Sequence, residues 1–326
     1  MTRKIIIDTD PAMGTKGGDP EDCFAIMLAM NSPELEILGI TTVQGNVPVE
    51  RGYSNAKYLV NAFQKDIPVH TGVPGTYDSE RNEKRKWLSE RKEMVQLTPM
   101  LEPAAEDLSA PSFIAKTCRE QTGEIELVTI GPLTNVAKAL DEDPQLSKHI
   151  KKITLMAGAA KVPGNVTPAA EFNVWADPES AAKVFSSGID CTLVPLDVCH
   201  KTRFSRKQLE LIGENKHSFC QFVNESVDPW LKINPNHNII DQGLHLYDSL
   251  AMALSFCPEL AEFKKAYVTV ETKGEYTDGE TVCEFNESIM GQVFKPKPNA
   301  EVALDIDVEG FNKLFEERVI NFLINL

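Results

Sequence analysis

Short β-branched runs alternate along this chain with stretches whose apolar residues recur every three or four positions. Ile5–Ile7 is strand-like and ends on an acid. Pro20 to Met30 follows with helical spacing (Phe24, Ile26, Met27, Leu28, Met30) and a proline in its first turn. Leu35–Val43 predicts a strand and Val49–Phe63 a helix. Ile125–Ile130 and Ile153–Met156 have the composition of buried strands, with a helix over Leu133–Leu140 between them. A helix over Pro178–Phe185 leads into a strand at Cys191–Leu196, and strands at Ala266–Val270 and Val302–Ile306 precede a closing amphipathic helix, Phe311–Ile324. Such alternation predicts an α/β fold with a mainly parallel central sheet flanked by helices. No repeat, low-complexity tract or linker interrupts it, so residues 1–326 are expected to form one domain. Only Asp78–Glu106, with its charged run Glu80-Arg81-Asn82-Glu83-Lys84-Arg85-Lys86, lacks a period; a long surface loop or irregular helix is expected there.

Composition narrows the partners. Lys and Arg total 33 against 48 Asp and Glu, a net charge of −15, which disfavours nucleic acid and anionic membrane surfaces. No apolar run reaches the roughly 18 residues of a membrane span, and the N-terminus shows no secretory pattern. The 7 cysteines are scattered and contain no C-x-x-C, so free thiols in a reducing cytoplasm are expected rather than disulfides or zinc. An acidic excess has one other use, the binding of a hard cation.

Two acidic clusters fit that use. Asp8-Thr9-Asp10 follows the first strand, and residues two apart on extended backbone point the same way. In doubly wound sheets this is the edge where ligands bind. Asp19-Pro20-Glu21-Asp22 then opens the next helix, after the flexible stretch Met13-Gly14-Thr15-Lys16-Gly17-Gly18. Acids at strand ends and helix starts also serve as plain caps, and both roles stay open on this pattern alone. Carboxylates converging without a Lys or Arg would repel unless a cation joins them, and all-oxygen ligation selects Ca²⁺ or Mg²⁺.

Asp8-Thr9-Asp10-Pro11 followed by Asp22-x-x-Ala25-Ile26 resembles the N-terminal signature of the inosine–uridine-type nucleoside hydrolases, whose compact form is D-x-D-P-G-x-D-D-x-x-A-I. Here roughly seven extra residues interrupt it, Ala12 stands for the glycine, and Glu21 stands for the first acid of the pair. Further segments resemble the family in order: Thr41 to Asn46, Val128 to Asn135, Met156 to Ala159, Gly164-Asn165 with Glu171-Phe172-Asn173, Asp177-Pro178-Glu179, Tyr247-Asp248 and Val302–Ile324. The resemblance implies a Rossmann-like nucleoside hydrolase fold. It also implies a Ca²⁺ held by Asp10, Asp22, Asp248 and the main-chain carbonyl of Ile130. Asn165, Glu171 and Asn173 would hold the ribose hydroxyls, with Asn46 fixing sugar and water, Asp10 as general base, and Asp8 orienting the cluster. Taken singly, Asn165 could be a turn residue, Glu171 a surface acid and Asn173 a cap.

The implied reaction is hydrolysis of a ribonucleoside to base and ribose through an oxocarbenium-like sugar. Many family members place a His directly before the metal Asp, where this chain has Tyr247; they also carry an H-G-x-x-G-type loop that Asp78–Glu106 lacks. Lys86-Trp87-Leu88 instead resembles a Trp-bearing loop of the purine-preferring branch, so Trp87 and Tyr247 are expected to sandwich a purine. His245 lies two residues before Tyr247, a separation that on a helix turns it to another face. The expected catalytic set is therefore Asp10, Asn173 and Tyr247. The expected substrate contacts are Glu21, Asn46, Trp87, Asn165, Glu171, Asn173 and His245, in a homodimer or homotetramer. Competing expectations are a haloacid-dehalogenase-like phosphatase, although Ala12 does not fit its D-x-D motif, and a non-catalytic nucleoside- or Ca²⁺-binding protein.

Overall fold

A computed structural model describes residues 2–85, 94–104, 107–233 and 243–326. Its centre is the first strand, β1 (Arg3–Thr9). Ile5, Ile6 and Ile7 are wholly buried, and the two-residue period of a strand sends Ile5 and Ile7 into one hydrophobic layer and Ile6 into the other. A strand with apolar residues on both faces needs cover on both, which is why an unbroken isoleucine run, rather than an alternating one, marks the middle of the sheet.

The remaining strands in chain order are β2 (Thr15–Lys16), β3 (Leu35–Thr42), β4 (Val69–Thr71), β5 (Val95–Gln96), β6 (Ile125–Thr129), β7 (Lys152–Met156), β8 (Cys191–Val194), β9 (Ala261–Val270), β10 (Thr281–Glu284) and β11 (Ala300–Ile306). Nine of them form one sheet in the order β10-β9-β11-β8-β7-β6-β1-β3-β4. All neighbours from β11 through β8, β7, β6, β1 and β3 to β4 pair in parallel, and at the far edge β9 runs against them, antiparallel to both β11 and β10. The chain lays β3 and β4 on one side of β1 and later strands on the other. The order therefore reverses between β1 and β6, which opens a crevice at their carboxyl ends.

Helices Glu21–Met30, Val49–Ala62 and Tyr247–Phe256 supply the layer that takes Ile5 and Ile7, and helices Ala110–Glu120, Thr134–Glu142 and Pro178–Ser186 the layer that takes Ile6. Every residue of Glu21–Met30 is buried, including its two acids. The strands and helices expected from periodicity all appear, within a few residues at their ends, and among the described residues no helix is long and apolar enough to cross a membrane.

Two expectations change. The closing helix is not continuous: Val308–Phe315 passes into a wider π-type turn at Glu316–Ile320 before Asn321–Ile324. That turn lets the adjacent Val319 and Ile320 both face the core after Phe311 and Phe315, while Arg318 stays out to pair with Glu34. The charged run in Asp78–Glu106 is not simply a solvated surface either. Arg81 and Arg85 are buried, Arg81 by pairing with Glu179 and Asp278, and Arg85 by pairing with Asp278.

Phe24 is central to the layer that takes Ile5 and Ile7, with its ring 4.9 Å from Phe204 and 6.0 Å from Phe315 and no exposure. Phe24→Ala should cost about 3–5 kcal/mol of stability, read as a lower urea midpoint with an unchanged slope. A midpoint equal to that of the parent chain would show that this contact carries no such weight.

Candidate active site

The crevice between β1 and β6 gathers the acids. Asp10 leaves the end of β1, and Ile130 leaves the end of β6. Helices Glu21–Met30 and Tyr247–Phe256 pack against each other and bring Glu21, Asp22 and Asp248 to the same place. Glycine is required on two sides of Asp10. A Cβ on Gly131 would lie 2.7 Å from Asp10 Oδ1, and one on Gly45 would collide outright with Asp10 Oδ2.

Hydrogen bonds fix the cluster. Asp22 Oδ1 accepts from Thr9 Oγ1 at 2.5 Å and from the Asp10 amide at 3.1 Å, and its Oδ2 accepts from Asn46 Nδ2 at 3.2 Å. The Asn46 amide donates to Asp10 Oδ2 at 2.5 Å. Glu21 lies across the first turn of helix Tyr247–Phe256, accepting from the amides of Asp248 (2.5 Å) and Ser249 (3.0 Å) and from Ser249 Oγ (2.6 Å). Asp8 is turned to other partners, Thr41 Oγ1 at 2.6 Å and Asn135 Nδ2 at 2.8 Å. Thus Glu21, which occupies the place of a family Asp, caps a helix here.

No Lys or Arg among the described residues pairs with any of these five acids. Burial pushes the Asp8 and Glu21 carboxyls up to about 7. It drives Asp10 and Asp248 well above the carboxylate range, with the neighbouring acids Asp22 and Glu21 adding to the shift; Asp22 is also raised by burial. Two buried oxygens, Asp8 Oδ2 and Asp10 Oδ1, have no hydrogen-bond partner. The donor chemistry, all oxygen and all acidic, suits a hard divalent cation, whose charge would reverse these shifts. Among the described residues no three His, Cys, Asp or Glu side chains already form a metal shell. The donor chemistry fits a cation, and Asp22 Oδ2, which accepts from Asn46 Nδ2, has a second lone pair for it.

The expected ribose residues approach from the β6–β7 side. Glu171 is buried and caps the turn Phe172–Ala176, its oxygens accepting from the amides of Asn173 (2.7 Å), Val174 (3.2 Å) and Gly158 (2.8 Å). It is not a surface acid. Asn173 is not a cap: its Nδ2 donates to the Ile130 carbonyl at 3.2 Å and the Met156 carbonyl at 3.1 Å. Asn173 therefore sits directly on the carbonyl expected to face a cation. Asn165 is exposed and accepts from the Phe172 amide at 3.0 Å, closing the loop that carries Glu171.

Tyr247 stands directly before Asp248 at a helix start and stacks on His245, ring centroids 5.3 Å apart at 29°, with His200 5.9 Å from Tyr247. His245 is not turned to another face by a helical phase, because the helix begins at Tyr247 and residues 244–246 precede it. His245 is buried with its Nδ1 3.2 Å from the Thr202 carbonyl. Trp87 lies outside the described residues.

Sequence reasoning passed over Asn135 and Thr41, which hold Asp8, although both stand within the segments that carried the family resemblance. It also missed Arg85, whose guanidinium lies 3.8 Å over the Trp175 ring and donates to the Trp175 carbonyl, tying down the turn that bears Asn173. Its partner Asp278 is too distant along the chain for any local pattern to reveal.

Comparison with known proteins agrees with this geometry. The family model for inosine-uridine preferring nucleoside hydrolases matches residues 5–313. A pyrimidine-specific ribonucleoside hydrolase, RihA of Salmonella gallinarum, is 34% identical over 320 residues, covering 98% of this chain and 99% of that protein. A plant nucleoside hydrolase structure superposes with a TM-score of 0.82 at 30% identity, over 98% of this chain and 99% of that one. A purine-preferring ribonucleoside hydrolase from Gardnerella vaginalis also gives 0.82, at 27% identity over 99% and 100% of the two chains. The chain belongs to the inosine-uridine preferring nucleoside hydrolase family. It is an enzyme acting on N-glycosyl bonds, in a family of metal-dependent hydrolases, and the phosphatase and non-catalytic alternatives fall away.

Gly45→Ala should displace the Asp10 carboxylate with little effect on the distant core. The expected result is a loss of turnover of about 10²-fold or more with a near-normal circular dichroism spectrum. Parental turnover in this variant would show that Asp10 need not occupy its present position.

Proposed function

We propose that this enzyme is a Ca²⁺-dependent ribonucleoside hydrolase that prefers purine nucleosides, with Asp10 as its general base. The observation that supports it most is the buried cluster of Asp10, Asp22 and Asp248 beside the Ile130 carbonyl, with no basic partner among the described residues. These four groups would hold the cation. When bound, Ca²⁺ would acidify a water and take up the ribose diol. Asp10, hemmed in by Gly45 and Gly131 and anchored by the Asn46 amide, would take the proton from the attacking water. Water adds at C1′ of the ribose, the C–N bond breaks with its electron pair going to the base, and a proton must reach that base. Asn173, Glu171, Asn165 and Asn46 would orient the sugar. Tyr247, backed by His245 and His200, would offer the leaving base an aromatic face; Glu21 acts through Asp248 and Ser249.

The purine preference draws on Tyr247 in the position before the metal Asp and on the likeness to the Gardnerella enzyme, whereas the Salmonella relative is described as pyrimidine-specific. Comparing kcat/KM for inosine and guanosine with uridine and cytidine decides it: higher values for the purines are expected, and a clear pyrimidine preference would refute that part. Asp10→Ala should lower kcat by about 10²–10⁴-fold for every nucleoside, and near-normal rates would refute the general-base role. Release of free base should fall on prolonged chelation and return with added Ca²⁺. The described cysteines are free thiols, in keeping with a reducing cytoplasm, where a homodimer or homotetramer is proposed.

A further inference from the structure

The glycine-rich stretch that splits the family signature between Asp10 and Asp22 has so far no task. In the structure it forms one strand of a small two-stranded ribbon, Thr15 pairing with Gln96 and Lys16 with Val95, while the Leu97 amide donates to the Gly14 carbonyl at 2.7 Å. Beneath the ribbon lies Asn55, on helix Val49–Ala62 and 1% exposed. Both ends of its amide are in use. Asn55 Nδ2 donates to the Pro11 carbonyl at 2.9 Å and to Thr15 Oγ1 at 3.1 Å. Asn55 Oδ1 accepts from Gln96 Nε2 at 2.8 Å and from Thr98 Oγ1 at 3.2 Å. Thr15 Oγ1 in turn donates to Gln96 Oε1 at 2.9 Å, which closes the network.

Pro11 follows Asp10 directly, so the hydrogen bond on its carbonyl fixes the Pro11–Ala12 peptide, one residue beyond the general base, and with it the course of the chain as it leaves Asp10. Gly14 is shaped to this contact. Its φ is +101°, and a Cβ there would stand 2.7 Å from Asn55 Oδ1 and 3.0 Å from Thr98 Cγ2. The backbone of the inserted segment thus closes over the asparagine as no side-chain-bearing residue could.

We propose that Asn55 is a positioning residue for Asp10, and that the inserted segment and its ribbon hold Asn55 to that task by engaging the acceptor end of its amide. The proposal rests on the assignment of Asp10 to the cation and the general base. Partners that orient a metal ligand typically affect metal affinity or activity by about 10–100-fold, although they touch neither metal nor substrate.

Two variants separate the ends of the amide. Asn55→Asp keeps an acceptor for Gln96 and Thr98 but loses the donor to Pro11, while Gln96→Ala leaves the Pro11 bond and removes the shorter of the two hydrogen bonds at the acceptor end, leaving that from Thr98. Each is titrated with Ca²⁺ after chelation, with Tm as the readout, and kcat and KM are measured in parallel. Asn55→Asp is expected to need about 10–100-fold more Ca²⁺ for half-maximal stabilisation and to lose kcat more than KM. Gln96→Ala should move both quantities the same way by a smaller factor. Parental Ca²⁺ requirement and kcat in Asn55→Asp would overturn the proposal. If that variant does not fold, Gln96→Ala decides alone, and parental values in it overturn the proposal equally. Failure of the parent chain to respond to Ca²⁺ would refute the cation assignment, and the kcat comparison would still decide the role of Asn55 at Asp10.

Discussion

The active end of this molecule is organised around a single electrostatic problem, the burial of Asp8, Asp10, Glu21, Asp22 and Asp248 together with no lysine or arginine of the described residues paired to them. Each meets part of its need locally. Thr41 and Asn135 serve Asp8, Thr9 and Asn46 serve Asp22, and the first turn of helix Tyr247–Phe256 serves Glu21. The remainder appears as raised carboxyl pKa values and as the unpartnered Asp10 Oδ1. Only a cation or bound protons can satisfy that remainder, and a family of metal-dependent hydrolases uses the first.

The scaffold explains why the acids meet. The isoleucine run that makes β1 central also places Asp10 at the reversal in strand order, opposite Ile130 at the end of β6. Helix Glu21–Met30 can bring two acids inward because it is buried on every side. Its packing against helix Tyr247–Phe256 then lets Glu21 cap that helix and sets Asp248 beside Asp22. Fold and site therefore share the same contacts, which accounts for matches to known hydrolases that run the length of the chain.

Much of this was legible in the residues themselves. Periodicity marked β1, β3, β6, β7 and β8 and their helices because each is locally amphipathic or wholly apolar, and the ordered motifs carried the family. What stayed hidden depends on partners far away in sequence. Arg81 and Arg85 looked like a solvated charge run because Glu179 and Asp278 lie on other segments. Glu171 and Asn173 had plausible bland roles until the fold placed the Gly158 amide on one and the Ile130 carbonyl against the other. His245 was expected among the substrate contacts but turned to another face than Tyr247, on a helical phase that the chain does not have at that point. Asn55 carried no motif at all; the role proposed for it rests on the four groups that converge on it.

The central claim is that a hard divalent cation completes the carboxylate cluster. Elemental analysis of the purified enzyme, before and after exhaustive chelation and alongside base release from inosine, tests it most directly. About one Ca²⁺ per chain is expected, lost together with activity. A metal-free enzyme that still hydrolyses nucleosides at the full rate would contradict it.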